Sequence, residues 1–176
     1  IINHMKQIIN NKPIAKIKPL FGSIDEYTLR YNQLKKLFNI KSEYLLFAEP
    51  ITVSEKKEIT WFTEHNEKPI PFHMLSEDHK IQAMGILKEK MESIREATKQ
   101  LKIEDLQQIQ HTLEIYFEIP TAEDIIAFIK NNEVEEIQLI QWGCISEAYD
   151  AKRGLISKLI PAHWINMQFQ VVYHDG

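Results

Sequence analysis

The sequence predicts an α+β domain in which antiparallel β-hairpins pack with a long helical hairpin. Three observations carry this expectation. Ile81, Met84, Leu87, Met91, Ile94, Ala97 and Leu101 step by three or four residues, which draws one apolar stripe along a helix. Asn131-Asn132 separates two β-prone runs, the sign of a hairpin turn. Near the C-terminus Ile165, Met167, Phe169, Val171 and Tyr173 alternate with Asn166, Gln168 and Gln170, the period of a half-buried strand. At 176 residues the chain is the size of one domain. Folding at that size hides roughly 70% of the unfolded surface, so neither a disulfide nor a metal is needed as a staple.

In chain order, residues 1–5 read as a cloning scar or a disordered start, which sets His4 aside from any site. The domain is expected over residues 13–176. Ile14, Ile17 and Leu20 lie among lysines between Pro13 and Pro19, a pattern suited at best to an edge strand. Ser23 offers an N-cap and Asp25 and Glu26 an acidic first turn, so residues 24–38 read as an amphipathic helix carrying Leu29, Leu34, Leu37 and Phe38. Residues 44–47 and 59–63 are β-prone and flank the charged stretch Ser54, Glu55, Lys56, Lys57, which gives a first hairpin. Asn66, Pro69 and Pro71 mark a loop.

Ser76 then caps the long helix, with Glu77 and Asp78 in its first turn. A second stripe of Ile103, Leu106, Ile109 and Leu113 is out of phase with the first. A break near residues 101–103 therefore makes an antiparallel helical hairpin, which Pro120 ends. Residues 124–130 fit helix or strand on periodicity alone. The Asn131-Asn132 turn and the β-branched, aromatic run 137–142 favour a hairpin of 124–130 against 136–142. A short helix is placed at residues 155–159, and the last strand at 165–173.

Composition narrows the function. Net charge is -4, against the basic surplus that phosphate binding asks for, so no nucleic-acid partner is expected. No apolar run nears the roughly 20 residues of a spanning helix, so no membrane insertion is expected. The single cysteine, Cys144, suits a reducing compartment, and a cytoplasmic location is the expectation. Five glycines in all, with no phosphate-binding glycine motif and no G-x-S-x-G elbow, give no cofactor to expect.

His73 and His79 bracket the helix start six residues apart, an unsuitable spacing for a metal, and Glu77 and Asp78 between them suit the helix dipole. Cys144 could serve as a nucleophile only with a base such as His163 or His174. Packing as a small hydrophobe is the stronger reading. No catalytic residue is assigned. A hydrolase or transferase built from His73, Cys144, Asp150 and His163 stays open as an alternative, because catalytic groups need only converge in space.

The most unusual stretch is Gln141-Trp142-Gly143-Cys144 followed by Tyr149, Asp150 and Arg153. Trp, Tyr and Arg are the residue types of interface anchors, so Trp142, Gly143, Tyr149, Asp150 and Arg153 form the candidate binding corner. The competing reading makes Trp142 core, Gly143 a bulge and Asp150–Arg153 a local ion pair, and it is the stronger of the two.

Trp61-Phe62-Thr63, Pro69-Ile70-Pro71-Phe72, Ile119-Pro120 and the run from Ile137 to Gly143 together resemble a domain of bacterial virulence-associated and OmpA-linked proteins. That family carries a Pro-Val-Leu-Thr-x-Trp-Gly-Phe-like segment, and Cys144 stands where it has Phe. The resemblance spans residues 40–155. It implies a bacterial origin, a role in an envelope- or secretion-related assembly and a hairpin at 124–142, and it transfers no catalytic residue. The leading expectation is thus a non-catalytic interaction or scaffold module with a protein partner. An immunity- or antitoxin-like acidic inhibitor is the other alternative.

Overall fold

The computed structural model describes residues 6–13, 16–53, 55, 58–148 and 153–159. It is a mixed α+β arrangement with three antiparallel sheets. The expected strand over residues 165–173 lies outside the described residues.

The first sheet has the order β1 (Gln7–Pro13), β4 (Glu58–Thr63), β3 (Glu49–Val53). β1 pairs antiparallel with β4 from Gln7 opposite Thr63 to Pro13 opposite Glu58, so ordered structure begins upstream of residue 13. β4 alternates inward Ile59, Trp61 and Thr63 with less buried Glu58, Thr60 and Phe62, the period-two pattern of a strand packed on one face. The first hairpin is present, but its leading strand is β3. Residues Glu43–Leu46 form a 3₁₀ turn instead. Ser42 holds φ 56, and the Leu45 amide closes back on the Ser42 carbonyl, which curls the run before it can extend. Leu46 and Phe47 bury their side chains from that turn.

β2 (Ile17–Pro19) pairs antiparallel with β8 (Cys144–Ser146). Helix α1 (Glu26–Leu37) follows, with Asp25 rather than Ser23 at its N-cap and no side-chain cap bond. Its buried face is Tyr27, Tyr31, Leu34 and Leu37, while Leu29 is 70% exposed. The two tyrosines fill the stripe that Leu29 was expected to share.

The third sheet has the order β5 (Pro69–Pro71), β6 (Ile125–Lys130), β7 (Glu133–Leu139). Residues 69–71, expected as loop, pair as a short edge strand with residues 126–128 of β6. Prolines are tolerated at such an edge. Asn131 and Asn132 hold φ 53 and 62, a two-residue turn that opposes Lys130 to Glu133. The tight turn sets β7 earlier than the expected 136–142, and Trp142 falls past its end.

Helix α2 (Glu77–Thr98) is capped by Ser76, whose Oγ accepts the His79 amide at 3.2 Å. Its buried residues are Ala83, Leu87, Met91, Ile94 and Thr98, and Ile81 is 72% exposed. The helix packs along β7, where Gln82 Oε1 accepts the Val134 amide at 2.8 Å and Lys90 pairs with Glu136 at 3.0 Å. No long second arm answers it. The chain forms α3 (Ile103–Ile109), turns, and forms α4 (Leu113–Tyr116). Ile109, Leu113, Tyr116 and Phe117 are all buried, so the second stripe is spent on two short helices instead of one hairpin arm. The short helix α5 (Leu155–Leu159) stands where it was expected.

The Ala48 amide donates to the Leu139 carbonyl at 2.9 Å, beside a parallel bridge between Phe47 and Leu139. The entry to β3 and the exit of β7 are thereby tied together, with the aromatic core beside the tie.

Candidate functional site

Trp142 is 0% exposed. Its ring is surrounded by Tyr27 at 5.2 Å, Trp61 at 5.5 Å, Tyr116 at 5.6 Å, Phe47 at 5.9 Å and Phe21 at 6.3 Å between centroids. Its indole Nε1 donates to the Ala48 carbonyl at 2.9 Å. A ring so enclosed, with its one polar atom satisfied, is core, and a partner has no access to it.

Gly143 has φ 76, its amide donates to the Glu118 carbonyl at 2.8 Å, and its carbonyl accepts the Leu20 amide at 2.8 Å. A Cβ there would collide with the Phe21 ring and come within 3.2 Å of the Tyr27 hydroxyl. Gly143 thus sets the turn by which the chain leaves the Trp142 pocket for β8.

Arg153 keeps an exposed guanidinium whose Nε lies 4.0 Å from Glu118 Oε1, and the Gly154 amide donates to the same carboxylate at 3.0 Å. Glu118 therefore pins both Gly143 and Gly154. Tyr149 and Asp150, the other members of the expected corner, lie outside the described residues, as does the Asp150–Arg153 pair.

Of the alternative catalytic set, His163 and Asp150 lie outside the described residues. Cys144 is buried, with its sulfur 2.8 Å from the Tyr27 hydroxyl. Burial pushes its thiol up to about 12; the Tyr27 hydrogen bond lowers it and nearby Asp124 raises it further. A thiol so held stays protonated at neutral pH and is a poor nucleophile. His73 sits exposed on the 3₁₀ turn Phe72–Met74. His79 is turned to the Asn132 carbonyl at 2.9 Å through Nε2. Among the described residues no three His, Cys, Asp or Glu side chains gather as a metal site requires, and no helix is long and apolar enough to cross a membrane.

A concave surface lies elsewhere. Beyond the C-terminal end of α1, the segment through Ile40 and Glu43 faces the last turns of α2 across a groove of about 580 Å³. Leu37, Ala97 and Leu101 give it apolar walls, and Ile40 stands at its side, 85% exposed. Along the last turns of α2 it is lined by Glu92, Ser93, Glu96 and Ala97, positions three and four apart that share one helix face; Gln100 continues the wall past the helix end, and Lys41 lines it from the other segment. The α2 stripe signalled Ala97 and Leu101. Nothing in the sequence joined them to Ile40 and Glu43, about fifty residues earlier. Met84 and Met91 do not line this groove, and Met91 is buried in the core.

No family model, curated protein or solved structure matches the chain.

Proposed function

We propose that the chain is a non-catalytic protein-interaction module that works in the cytoplasm as part of a bacterial envelope- or secretion-related assembly. The observation that carries the reading is the groove between residues 37–43 and the end of α2, with apolar walls and a solvent-facing Ile40 at its side. Isolated exposed apolar residues are ordinary, but a concave apolar surface of several hundred Å³ is the form that recognition sites take. The assembly follows from the resemblance of the Trp61, Pro69 and Trp142 segments to the virulence-associated and OmpA-linked domain. The cytoplasm follows from the lone cysteine, which here is a buried thiol.

The hydrolase reading loses support from Cys144, its only described nucleophile, which is enclosed and held protonated. Arg153 still presents a cation at the expected corner, and it serves as a peripheral contact in the proposed module.

The test is affinity capture from a lysate of the source cells with wild type, Ala97→Arg and Arg153→Ala side by side, read by mass spectrometry. A protein held by wild type and lost with Ala97→Arg supports the module. A strict monomer that retains nothing specific in all three removes it.

A further inference from the structure

Gln138 of β7 lines a small cavity and carries a buried oxygen with no partner. Going beyond the interaction-module reading and independent of it, we infer that this cavity and the hollow beside it, between α1 and the first sheet, bind a free α-amino acid. Its ammonium is held by Glu64 and the Gln138 side chain, and its carboxylate by Lys35.

Gln138 is 4% exposed. Its Nε2 donates to the Leu45 carbonyl at 2.9 Å, which fixes the orientation of the amide, because the reversed amide would set two acceptors against each other. Oε1 is left over, and among the described residues no donor reaches it. Leu45 and Gln138 both line a pocket of about 50 Å³, with Tyr31, Tyr44 and Thr63 also in its wall. A buried oxygen of this kind is costly until an N–H or O–H group donates to it.

The charged side chains lining the pocket are Lys6, Lys35, Glu49 and Glu64. Two of them satisfy each other, since Lys6 Nζ lies 2.6 Å from Glu49 Oε1 and 3.0 Å from Oε2. Lys35 and Glu64 are exposed, and among the described residues neither has an ion-pair partner, the other included. Lys35 Nζ stands 5.9 Å from the centre of the Tyr44 ring, which packs edge-on against Tyr31. The pocket is therefore balanced in charge, yet one cation and one anion on its wall do not meet. A ligand of a single sign answers one and repels the other. A zwitterion answers both, and its ammonium supplies the donor that Gln138 lacks.

The pocket has room for an ammonium group, which is close in size to a water molecule of roughly 30 Å³. The rest of the ligand needs more space. Tyr31, Lys35 and Glu49 also line a neighbouring hollow of about 250 Å³ between α1 and β3. Lys35 stands on the common wall and meets the carboxylate there, while Glu64 and Gln138 line only the smaller pocket and meet the ammonium. Burial first, then Glu49, Tyr44 and Glu64, hold the Tyr31 phenol above its ordinary value, so its hydroxyl keeps a proton to donate to the carboxylate. Thr28, Asn32, Ile51 and Thr52 add no charge to the hollow, which suits a short, uncharged side chain.

The experiment titrates the isotopically labelled full chain with each of the common α-amino acids and follows the Gln138 side-chain amide by NMR. The best binder is then repeated as its N-acetyl and its carboxamide form, and against Lys35→Met and Glu64→Gln, both at exposed positions where the fold should be unchanged. An amino acid with a short, uncharged side chain should shift the Gln138 signal. Each blocked form and each variant should weaken it roughly tenfold or more. The carboxamide should not distinguish Lys35→Met from wild type, nor the N-acetyl form Glu64→Gln, because the pairing in question is already gone. If no amino acid shifts the Gln138 signal, the inference is overturned. Equal affinity for the carboxamide makes a peptide N-terminus the occupant and overturns the free amino acid. Binding indifferent to both variants places the ligand elsewhere and overturns the site. The interaction-module reading rests on the lysate capture and stands or falls apart from these results.

Discussion

The indole nitrogen of Trp142 donates to the main-chain carbonyl of Ala48 at 2.9 Å, across 94 positions of sequence. Ala48 also donates its amide to Leu139, so both polar groups of one buried peptide segment are satisfied by the exit of β7. The bond locks the joint between two sheets, and the ring fills the space where Phe21, Tyr27, Phe47, Trp61 and Tyr116 converge. Trp142→Ala should destabilise the fold by about 3–5 kcal/mol or prevent folding. Trp142→Phe keeps much of the volume but strips Ala48 of its donor, and should cost about 1–3 kcal/mol. Urea unfolding measures both. A loss under 1 kcal/mol for Trp142→Ala would be inconsistent with a core role.

Gly143 and Gly22 separate two penalties that usually come mixed. Both have positive φ, 76 and 98, but a Cβ on Gly22 meets nothing within 4 Å, whereas one on Gly143 runs into the Phe21 ring. Gly22→Ala should therefore cost only the backbone strain, of order 1 kcal/mol. Gly143→Ala adds a displaced aromatic ring in a close-packed cluster, and should cost about 2 kcal/mol more. Equal losses at the two positions would show that Phe21 moves aside freely.

How far the fold is legible depends on whether a local signal is strong enough to override the surroundings. Ser76 followed by acidic residues fixes the start of α2, and Asn131-Asn132 fixes the β6–β7 hairpin, because caps and tight turns are decided by a few adjacent residues. The segment 43–47 reads as strand from its composition, yet Ser42 in the left-handed region starts a 3₁₀ turn that carries Leu46 and Phe47 into the core. The second arm of the helical hairpin fails for a related reason. Its stripe is real, but Leu113, Tyr116 and Phe117 are buried from a separate short helix. The Trp142 corner was visible as an odd run of residues, while its burial depends on rings from five distant positions. The groove was hidden altogether, since its two walls are made by residues 37–43 and 92–101.

Alkaline pH should unfold the protein through its buried acids. The Cys144 thiol is pushed from 9.0 up to about 12, chiefly by burial. The Tyr27 phenol is pushed far above its ordinary 10.0, first by burial and then by Cys144. Tyr116 is raised to about 12 by burial, against a lowering influence from Arg30. Each is neutral when protonated, and the folded state holds its proton more tightly than the unfolded chain does. Stability from these groups is thus complete below the unfolded pKa values and is lost as pH rises through the folded ones. Urea midpoints should be level from about pH 7 to 8.5 and fall progressively above about pH 9. Cys144→Ala should reduce the earliest part of that fall. In the native wild type, Cys144 should react with a thiol reagent only at the rate of unfolding. Rapid labelling at neutral pH would show an accessible, ionisable thiol and restore the nucleophile reading.

The Asn131-Asn132 turn offers a prediction with a sign that propensity alone would not give. Both residues hold the left-handed conformation, φ 53 and 62, and between them they set Lys130 opposite Glu133. Asn tolerates this region better than other non-glycine residues, and Asn-Gly is the favoured pair for such turns. Asn132→Gly should therefore stabilise the hairpin by a few tenths of a kcal/mol, although glycine within a strand weakens it. Asn132→Val, β-branched and strained at positive φ, should destabilise by about 1–2 kcal/mol. The two variants change one exposed position, so neither disturbs the core, and the difference between their urea midpoints reports the turn itself. If Asn132→Gly were the less stable of the pair, the turn would not have this conformation, and the register of β7 would have to be set by its buried residues Val134, Ile137 and Leu139 alone.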